Sequence, residues 1–98
     1  MKLYREVLIA YDVEDNRRRG RLHKALKDIG LQPVQYSVFW GLILGAEEKA
    51  IQRLFRRELD RRKDKAFVIP VRASENSRTQ IWGYVMDPFE KPERFDVT

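Results

Sequence analysis

The stretch from Val7 to Tyr11, VLIAY, constrains the fold more than any other part of this sequence. Five consecutive apolar residues, rich in strand formers, predict a short central strand of a sheet that is covered on both faces. Three acids, Asp12, Glu14 and Asp15, and then three consecutive arginines follow directly. The sequence therefore places a buried strand immediately before a strongly charged turn.

A first helix is predicted over residues 16–29. Apolar residues recur there with the spacing i, i+3, i+4, i+7, which is typical of a helix with one buried face. Asp15 or Asn16 can cap its start, and Gly30 supplies the stop. Gly20 lies inside this helix, where glycine is unfavourable, so a close approach of another part of the protein to the backbone is expected at this position.

Extended structure follows the first helix. Apolar and polar residues alternate from Val34 to Trp40, the period of two that is typical of a strand with one apolar face. The run continues to Leu44, which is long for one strand. We therefore expect it to bend at Trp40–Gly41 into two strands.

The rest of the chain supplies one more helix and two more strands. An amphipathic pattern predicts the helix over about 46–62, and the strands are expected at Ala66–Val71 and Gln80–Val85. This order predicts an α+β fold, a ferredoxin-like βαββαβ sandwich with an additional C-terminal strand. Residues 1–86 form a single domain in this interpretation, and residues 87–98 form an acidic tail.

Composition excludes several classes of function. The chain of 98 residues has no cysteine, which excludes disulfides, thiolate zinc sites and cysteine nucleophiles. Its single histidine, His23, is placed on the first helix with no nucleophile motif, and neither common glycine-rich nucleotide-binding motif occurs. No stretch resembles a signal peptide or a membrane span, so a cytoplasmic protein without membrane contact is expected. A domain this small also gains from burying surface in a homodimer.

Charge is concentrated in two basic runs. The formal net charge is +5, and the segment from Arg17 to Lys27 contains six basic residues with no acid. A second run, Arg53–Lys65, has seven bases and three acids. Arginines in the first turn of a helix oppose its macrodipole, so phosphate binding explains Arg17–Arg19 better than helix stability does.

Asp12 is the candidate for metal chemistry. Magnesium is commonly held by one or two carboxylates while it keeps several waters and accepts a substrate phosphate. A two-fold axis would bring together Asp12 from two chains. The competing interpretation is a helix-capping acid or an Asx turn, which is common at strand-to-helix junctions.

Two blocks of the sequence resemble a known family. The residues Y-D-V-x-D-x-R-R-R at 11–19 and Q-Y-S-V-F at 35–39 are similar to those of the CRISPR-associated Cas-two family, the small partner of the Cas-one spacer integrase. The resemblance implies a ferredoxin-like homodimer that bridges two Cas-one dimers and holds the incoming DNA duplex. Some members are also metal-dependent endonucleases acting on single-stranded RNA or double-stranded DNA.

The resemblance also implies roles for individual residues. Asp12 is the strand-end aspartate, and so the catalytic residue and the ligand of a Mg²⁺ shared between two subunits. Two positions depart from the family pattern, Asn16 replacing a frequent aspartate and Gly20 replacing a larger polar residue. The family's arginines correspond to Arg18, Arg19 and Arg21, and with Arg17 from the charge pattern they form the cluster expected to contact nucleic acid. The aromatic residues Tyr11 and Phe39 are expected to stack on a base or to pack at the dimer face.

Three functions stay open at this level. The first is a duplex-binding scaffold in CRISPR adaptation, and the second is a Mg²⁺-dependent endonuclease centred on Asp12. The third is a toxin-like metal-dependent ribonuclease resembling virulence-associated protein D. For Phe39, core packing is favoured over stacking on a base.

Overall fold

The chain folds in the order βαββαβ, and the computed structural model describes residues 3–74 and 76–90. The predicted α+β, ferredoxin-like class is confirmed. The elements are β1 (Arg5–Asp12), α1 (Asn16–Ile29), β2 (Gln32–Gln35), β3 (Val38–Ile43), α2 (Gly45–Glu58) and β4 (Lys65–Pro70).

The four strands form one antiparallel sheet in the order β2-β3-β1-β4. β1 lies between β3 and β4, as its apolar sequence predicts. Successive side chains of a strand point to opposite faces, and Val7, Ile9 and Tyr11 pack with residues of both helices. The core therefore lies between the helices and this face of the sheet.

The opposite face, called here the outer face, is only partly covered within one chain. On β1 it carries Glu6, Leu8, Ala10 and Asp12 by alternation. Phe67 on β4 is 51% exposed. The predicted burial of β1 on both faces is thus complete on the helix side and incomplete on the outer side.

Local signals fix the helix ends. The Asp15 carboxylate accepts a hydrogen bond from the backbone N–H of Arg18 at 2.9 Å and caps α1, and Gly30 with φ 113° ends it. α2 ends four residues earlier than predicted, at Glu58. The backbone N–H of Asp60 donates to the Asp64 carboxylate at 2.9 Å, so it is not available for a further helical turn.

The break between β2 and β3 lies at Tyr36–Ser37, and the predicted bend at Trp40–Gly41 is wrong. Ser37 has φ 63°, and its carbonyl accepts a hydrogen bond from the Tyr11 backbone N–H at 3.1 Å. Gly41 lies inside β3 for a different reason. A Cβ at this position would lie 2.7 Å from Cδ2 of Leu31, so glycine permits close packing there.

The predicted strand at Gln80–Val85 does not form within the described chain. Its residues are exposed, and the Trp82 side chain is 75% exposed. A strand needs a neighbouring strand edge to accept its backbone hydrogen bonds, and this segment pairs with none of the four strands. The Tyr84 hydroxyl donates to the Val34 carbonyl at 2.7 Å and attaches the segment near β2.

A buried carboxylate anchors the chain that follows β4. Glu6 is 5% exposed and accepts hydrogen bonds from the Trp40 indole N–H at 2.9 Å and the Ala73 backbone N–H at 2.7 Å. Ser74 donates to it through its hydroxyl at 3.0 Å and its backbone N–H at 3.3 Å. All these donors lie around one side chain on the outer face.

The start of the predicted acidic tail contacts the sheet. Pro88 is buried, and the Phe89 ring lies 5.7 Å from the Trp40 ring in an edge-to-face arrangement. Residues 91–98 lie outside the described residues. The division of the chain at residue 86 therefore stays a prediction.

Candidate nucleic-acid and metal site

Asp12 lies at the carboxyl end of β1, exposed, on the outer face of the sheet. Lys65, the first residue of β4, is its direct partner in the register of the two strands. Side chains opposite each other in an antiparallel pair project on the same face. Lys65 could not be predicted as part of the site from the sequence, because only the strand register places it beside Asp12.

The capping interpretation does not apply to Asp12. Asp15 caps α1, and the Asp12 side chain forms no hydrogen bond or ion pair with the described part of the chain. An exposed carboxylate without a protein partner is available to a ligand. The competing explanation for this residue therefore fails on geometry.

The described part of one chain does not by itself contain a complete metal site. Among residues 3–74 and 76–90, no group of three or more histidine and carboxylate side chains is placed to hold a metal ion. Magnesium requires one or two carboxylates when waters and phosphate complete its shell. The single exposed Asp12 fits one half of the shared site that the sequence analysis expects.

Arg18 is directed into the fold rather than toward solvent. Its Nη1 donates to the Glu58 carbonyl at 2.8 Å and to the Asp64 carboxylate, whose side chain is fully buried. Asp64 also accepts the Glu14 backbone N–H at 3.1 Å. These contacts join the start of α1 to the turn after α2.

Arg21 also has an acidic partner. Its Nε and Nη2 donate to Oε1 of Glu58 at 3.0 and 2.9 Å. Hydrogen bonds from Arg21 are the main cause that lowers the pKa of Glu58. The three acids within the second basic run were the signal for such pairing, since charges within a fold are usually paired.

The pKa of Asp64 is also lowered, first by the hydrogen bond from the Asp60 backbone N–H and then by those from Glu14 and Arg18. A lowered pKa means that the folded state favours the ionised form. The contributions of Asp64 and Glu58 to stability are thus fully present above their ordinary pKa values and are lost as the pH falls through the lowered values.

Arg17 and Arg19 carry charges that no acid among the described residues pairs with. Arg17 is exposed, and its side chain forms no hydrogen bond or ion pair there. Arg19 donates to the Val13 carbonyl at 2.8 Å and to the Asn16 side-chain oxygen, both of which are neutral. These two residues are the members of the arginine cluster best placed to attract phosphate.

Both aromatic candidates lie inside the fold. Phe39 is fully buried, and its ring centroid lies 6.2 Å from that of Tyr11. Core packing, the favoured interpretation for Phe39, describes its position, and its ring is not available to a base or a partner chain. Burial raises the pKa of the Tyr11 hydroxyl, and the Ser37 side chain partly opposes this shift.

Comparison with known proteins identifies the family. The model of the family described as "CRISPR associated protein Cas2" matches residues 5–79. The chain belongs to the Cas2 family. The resemblance drawn from the blocks at 11–19 and 35–39 is confirmed.

Relatives of the Cas2 family match most of the chain. A protein of Francisella tularensis subsp. novicida named CRISPR-associated endoribonuclease Cas2 1 is 45% identical over 84 residues, 86% of each chain. A structure of Streptococcus pyogenes Cas2 has a TM-score of 0.68 at 26% identity, covering 80% of this chain and 99% of that one. The crystal structure of a hypothetical protein, TT1823, from Thermus thermophilus has a TM-score of 0.65 at 35% identity, and the match covers 70% of this chain and 83% of that one.

The two departures from the Cas2 pattern lie side by side in the structure. Asn16 accepts a hydrogen bond from Arg19, and Gly20 follows Arg19 on the same helix. The close approach expected at Gly20 is wrong: a Cβ there would meet no atom within 4 Å, so the position borders open space. Neither helix in the described part of the chain is long and apolar enough to cross a membrane.

Proposed function

We propose that this Cas2-family chain acts in CRISPR adaptation as a homodimeric scaffold that binds nucleic-acid duplexes and bridges two dimers of the Cas-one integrase. The observation that carries the proposal is the family match over residues 5–79. The unpaired charges of Arg17 and Arg19 support it, because contacts to phosphates position a protein on nucleic acid without reading its sequence. The proposal places the protein in the cytoplasm with its DNA substrate.

We further propose a Mg²⁺-dependent endonuclease site between the Asp12 residues of two subunits, acting on single-stranded RNA or double-stranded DNA. Several relatives are named endoribonucleases. A magnesium ion bound there would lower the pKa of a water and offset charge on the phosphodiester. Asp12 would hold the ion, and Lys65 beside it would attract the phosphate. The toxin-like alternative receives no comparable support, because the matched family is CRISPR-associated.

The homodimer is supported by the outer face. Phe67 is 51% exposed and Ile69 is 41% exposed, and Trp82 and Val85 lie exposed in the segment after β4. Two large apolar side chains exposed on one face of a sheet, as Phe67 and Ile69 are, favour burial of that face against a partner. A second copy would cover this face, and its free sheet edge would accept residues 80–85 as the strand that one chain alone does not form.

We expect light scattering to give the mass of two chains at micromolar concentration. Phe67→Glu adds a charge to the outer face and leaves the core between sheet and helices intact, so it should shift the protein to the monomer. A monomer for the wild-type protein that does not change with concentration would contradict this proposal.

Duplex binding should depend steeply on salt and little on base sequence. Each phosphate contact contributes about 0.9 to the log–log slope of affinity against salt concentration. Arg17→Ala combined with Arg19→Ala should therefore lower the slope by about 1.8 if each residue contacts one phosphate. The matched control is Lys24→Ala, which removes a cation that is already paired with Asp28 at 3.0 Å.

Fluorescence anisotropy with a labelled duplex at several salt concentrations measures these slopes. An unchanged slope in the double variant would move the contacts to the exposed face of α2, with Arg53 and Arg56 as the next residues to replace. Sequence-dependent affinity would contradict a scaffold that acts through the phosphate backbone.

A further inference from the structure

A cleft opens between the first half of α1 and the β2–β3 turn, on the helix side of the sheet. It has a volume of about 360 Å³. By strand alternation, Tyr11 points to this side of the sheet and Asp12 to the outer face. The cleft is therefore separate from the proposed metal site. The residues used below line it: Tyr11, Arg19, Gly20, His23, Tyr36 and Ser37.

We propose that this cleft binds an unstacked nucleobase of a single strand, with Tyr36 as the stacking surface. The Tyr36 side chain lies in the turn and is 83% exposed, so most of its ring surface is accessible to a ligand. The guanidinium carbon of Arg19 lies 5.9 Å from the centre of its ring. An exposed ring beside a cation is the combination that binds bases of single strands and their phosphates.

The other walls supply polar groups that suit the edge of a base. The Tyr11 and Ser37 side chains line the cleft, and each hydroxyl can offer a donor or an acceptor. Binding sites commonly combine apolar walls with a few such fixed polar groups, in clefts of about 300–1,000 Å³. The cleft lies at the low end of this range, which suits one nucleotide, and a base stacked within a duplex cannot enter it.

Rigid elements hold these walls in place. The hydrogen bond from the Tyr11 backbone N–H to the Ser37 carbonyl ties the turn to β1. Arg19 is fixed by the Val13 carbonyl at 2.8 Å. The His23 ring packs edge-on against Phe39 at 5.1 Å and closes the far end. The site therefore needs little ordering when a base enters.

Gly20 explains why the cleft is open in this chain. It lies one turn before His23 and one turn after Asn16 on the helix face that forms the wall. A Cβ added there meets nothing within 4 Å, so glycine at this position avoids no clash. Its effect is to leave volume unfilled, and a longer side chain would project into that volume.

This subsite rests on the proposed nucleic-acid binding. The experiment below distinguishes failure of the subsite from failure of the proposed function. Single-stranded DNA and RNA carrying the fluorescent base 2-aminopurine are titrated with wild-type protein and with variants, beside a DNA duplex. We expect binding to quench 2-aminopurine by stacking. Tyr36→Ala should weaken single-strand affinity by about 5- to 150-fold, the usual effect of losing one base–aromatic stack. Tyr36→Phe keeps the aromatic ring and should bind single strands with wild-type affinity.

Variants at Gly20 provide a second, independent test of the cleft. Gly20→Gln should fill the cleft and abolish quenching while the thermal midpoint stays equal or rises, because most residues favour a helix more than glycine does. Gly20→Ala is the matched control and should keep both quenching and affinity. Competition by a free mononucleotide tells whether a single nucleotide suffices or a strand is required.

Two results would overturn the subsite. One is equal loss of duplex and single-strand affinity in Tyr36→Ala, which would make Tyr36 a general contact. The other is unchanged quenching in Tyr36→Ala and Gly20→Gln. If either occurs while the wild-type protein still binds duplex DNA in a salt-dependent way, only the subsite is wrong. If the wild-type protein does not bind duplex DNA at all, the proposed function itself is contradicted.

Discussion

Asp12→Asn is expected to lower Mg²⁺-stimulated cleavage at least about 100-fold, because the amide keeps the size of the carboxylate but removes the charge that a hard cation requires. Cleavage of RNA and of duplex DNA, with wild type and variant purified in parallel, measures the effect. Duplex affinity should be unchanged or slightly higher, since the variant has one negative charge fewer near the phosphates.

Asp28→Asn is the matched control for this experiment. Asp28 is an exposed carboxylate on α1 that pairs with Lys24, and its replacement should leave cleavage intact. Integration of a spacer duplex with the integrase should survive Asp12→Asn if Asp12 serves only the metal. Equal cleavage by wild type and Asp12→Asn would refute the metal role and point to a contaminating nuclease.

Glu6→Ala is expected to lower the free energy of unfolding by about 2–5 kcal/mol, because it leaves the buried Trp40 indole N–H and the Ala73 backbone N–H without acceptors. Urea denaturation followed by tryptophan fluorescence measures this loss. Asp28→Ala should change stability by less than about 1 kcal/mol, as is usual for an exposed ion pair.

Glu6→Gln refines the comparison. It keeps one carbonyl oxygen as an acceptor but introduces an amide group among donors, so an intermediate loss of stability is expected. If Glu6→Ala is as stable as wild type, the hydrogen bonds around Glu6 do not hold the chain after β4 in solution.

Those elements whose signals are local could be predicted from the sequence. The bounds of α1 follow from Asp15 as a cap and Gly30 as a stop, and Asp12 at the strand end follows from the apolar run before it. The turn at Tyr36–Ser37 could not be found this way. Alternation continues through it, and a serine with positive φ leaves no glycine or proline in the sequence to mark the break.

The partners of the charged residues were the part that sequence could not supply. Arg18 lies 46 residues from Asp64 and Arg21 lies 37 residues from Glu58. A run of arginines looks the same in sequence whether its members face solvent or pair with distant acids. Two of the four expected phosphate contacts proved to have acidic partners, and Tyr36, which the motif contained, stands exposed beside Arg19.

The position of Glu6 has a consequence for how the protein is made. Its donors in Ala73 and Ser74 come 67 and 68 residues later in the chain, so a ribosome must synthesise nearly the whole fold before they exist. Until then the carboxylate must remain hydrated, because a buried charge without its hydrogen-bond donors is unfavourable. The native hydrogen bonds around Glu6 and Trp40 therefore form late in synthesis, and a nascent chain that ends before Ala73 cannot make all of them.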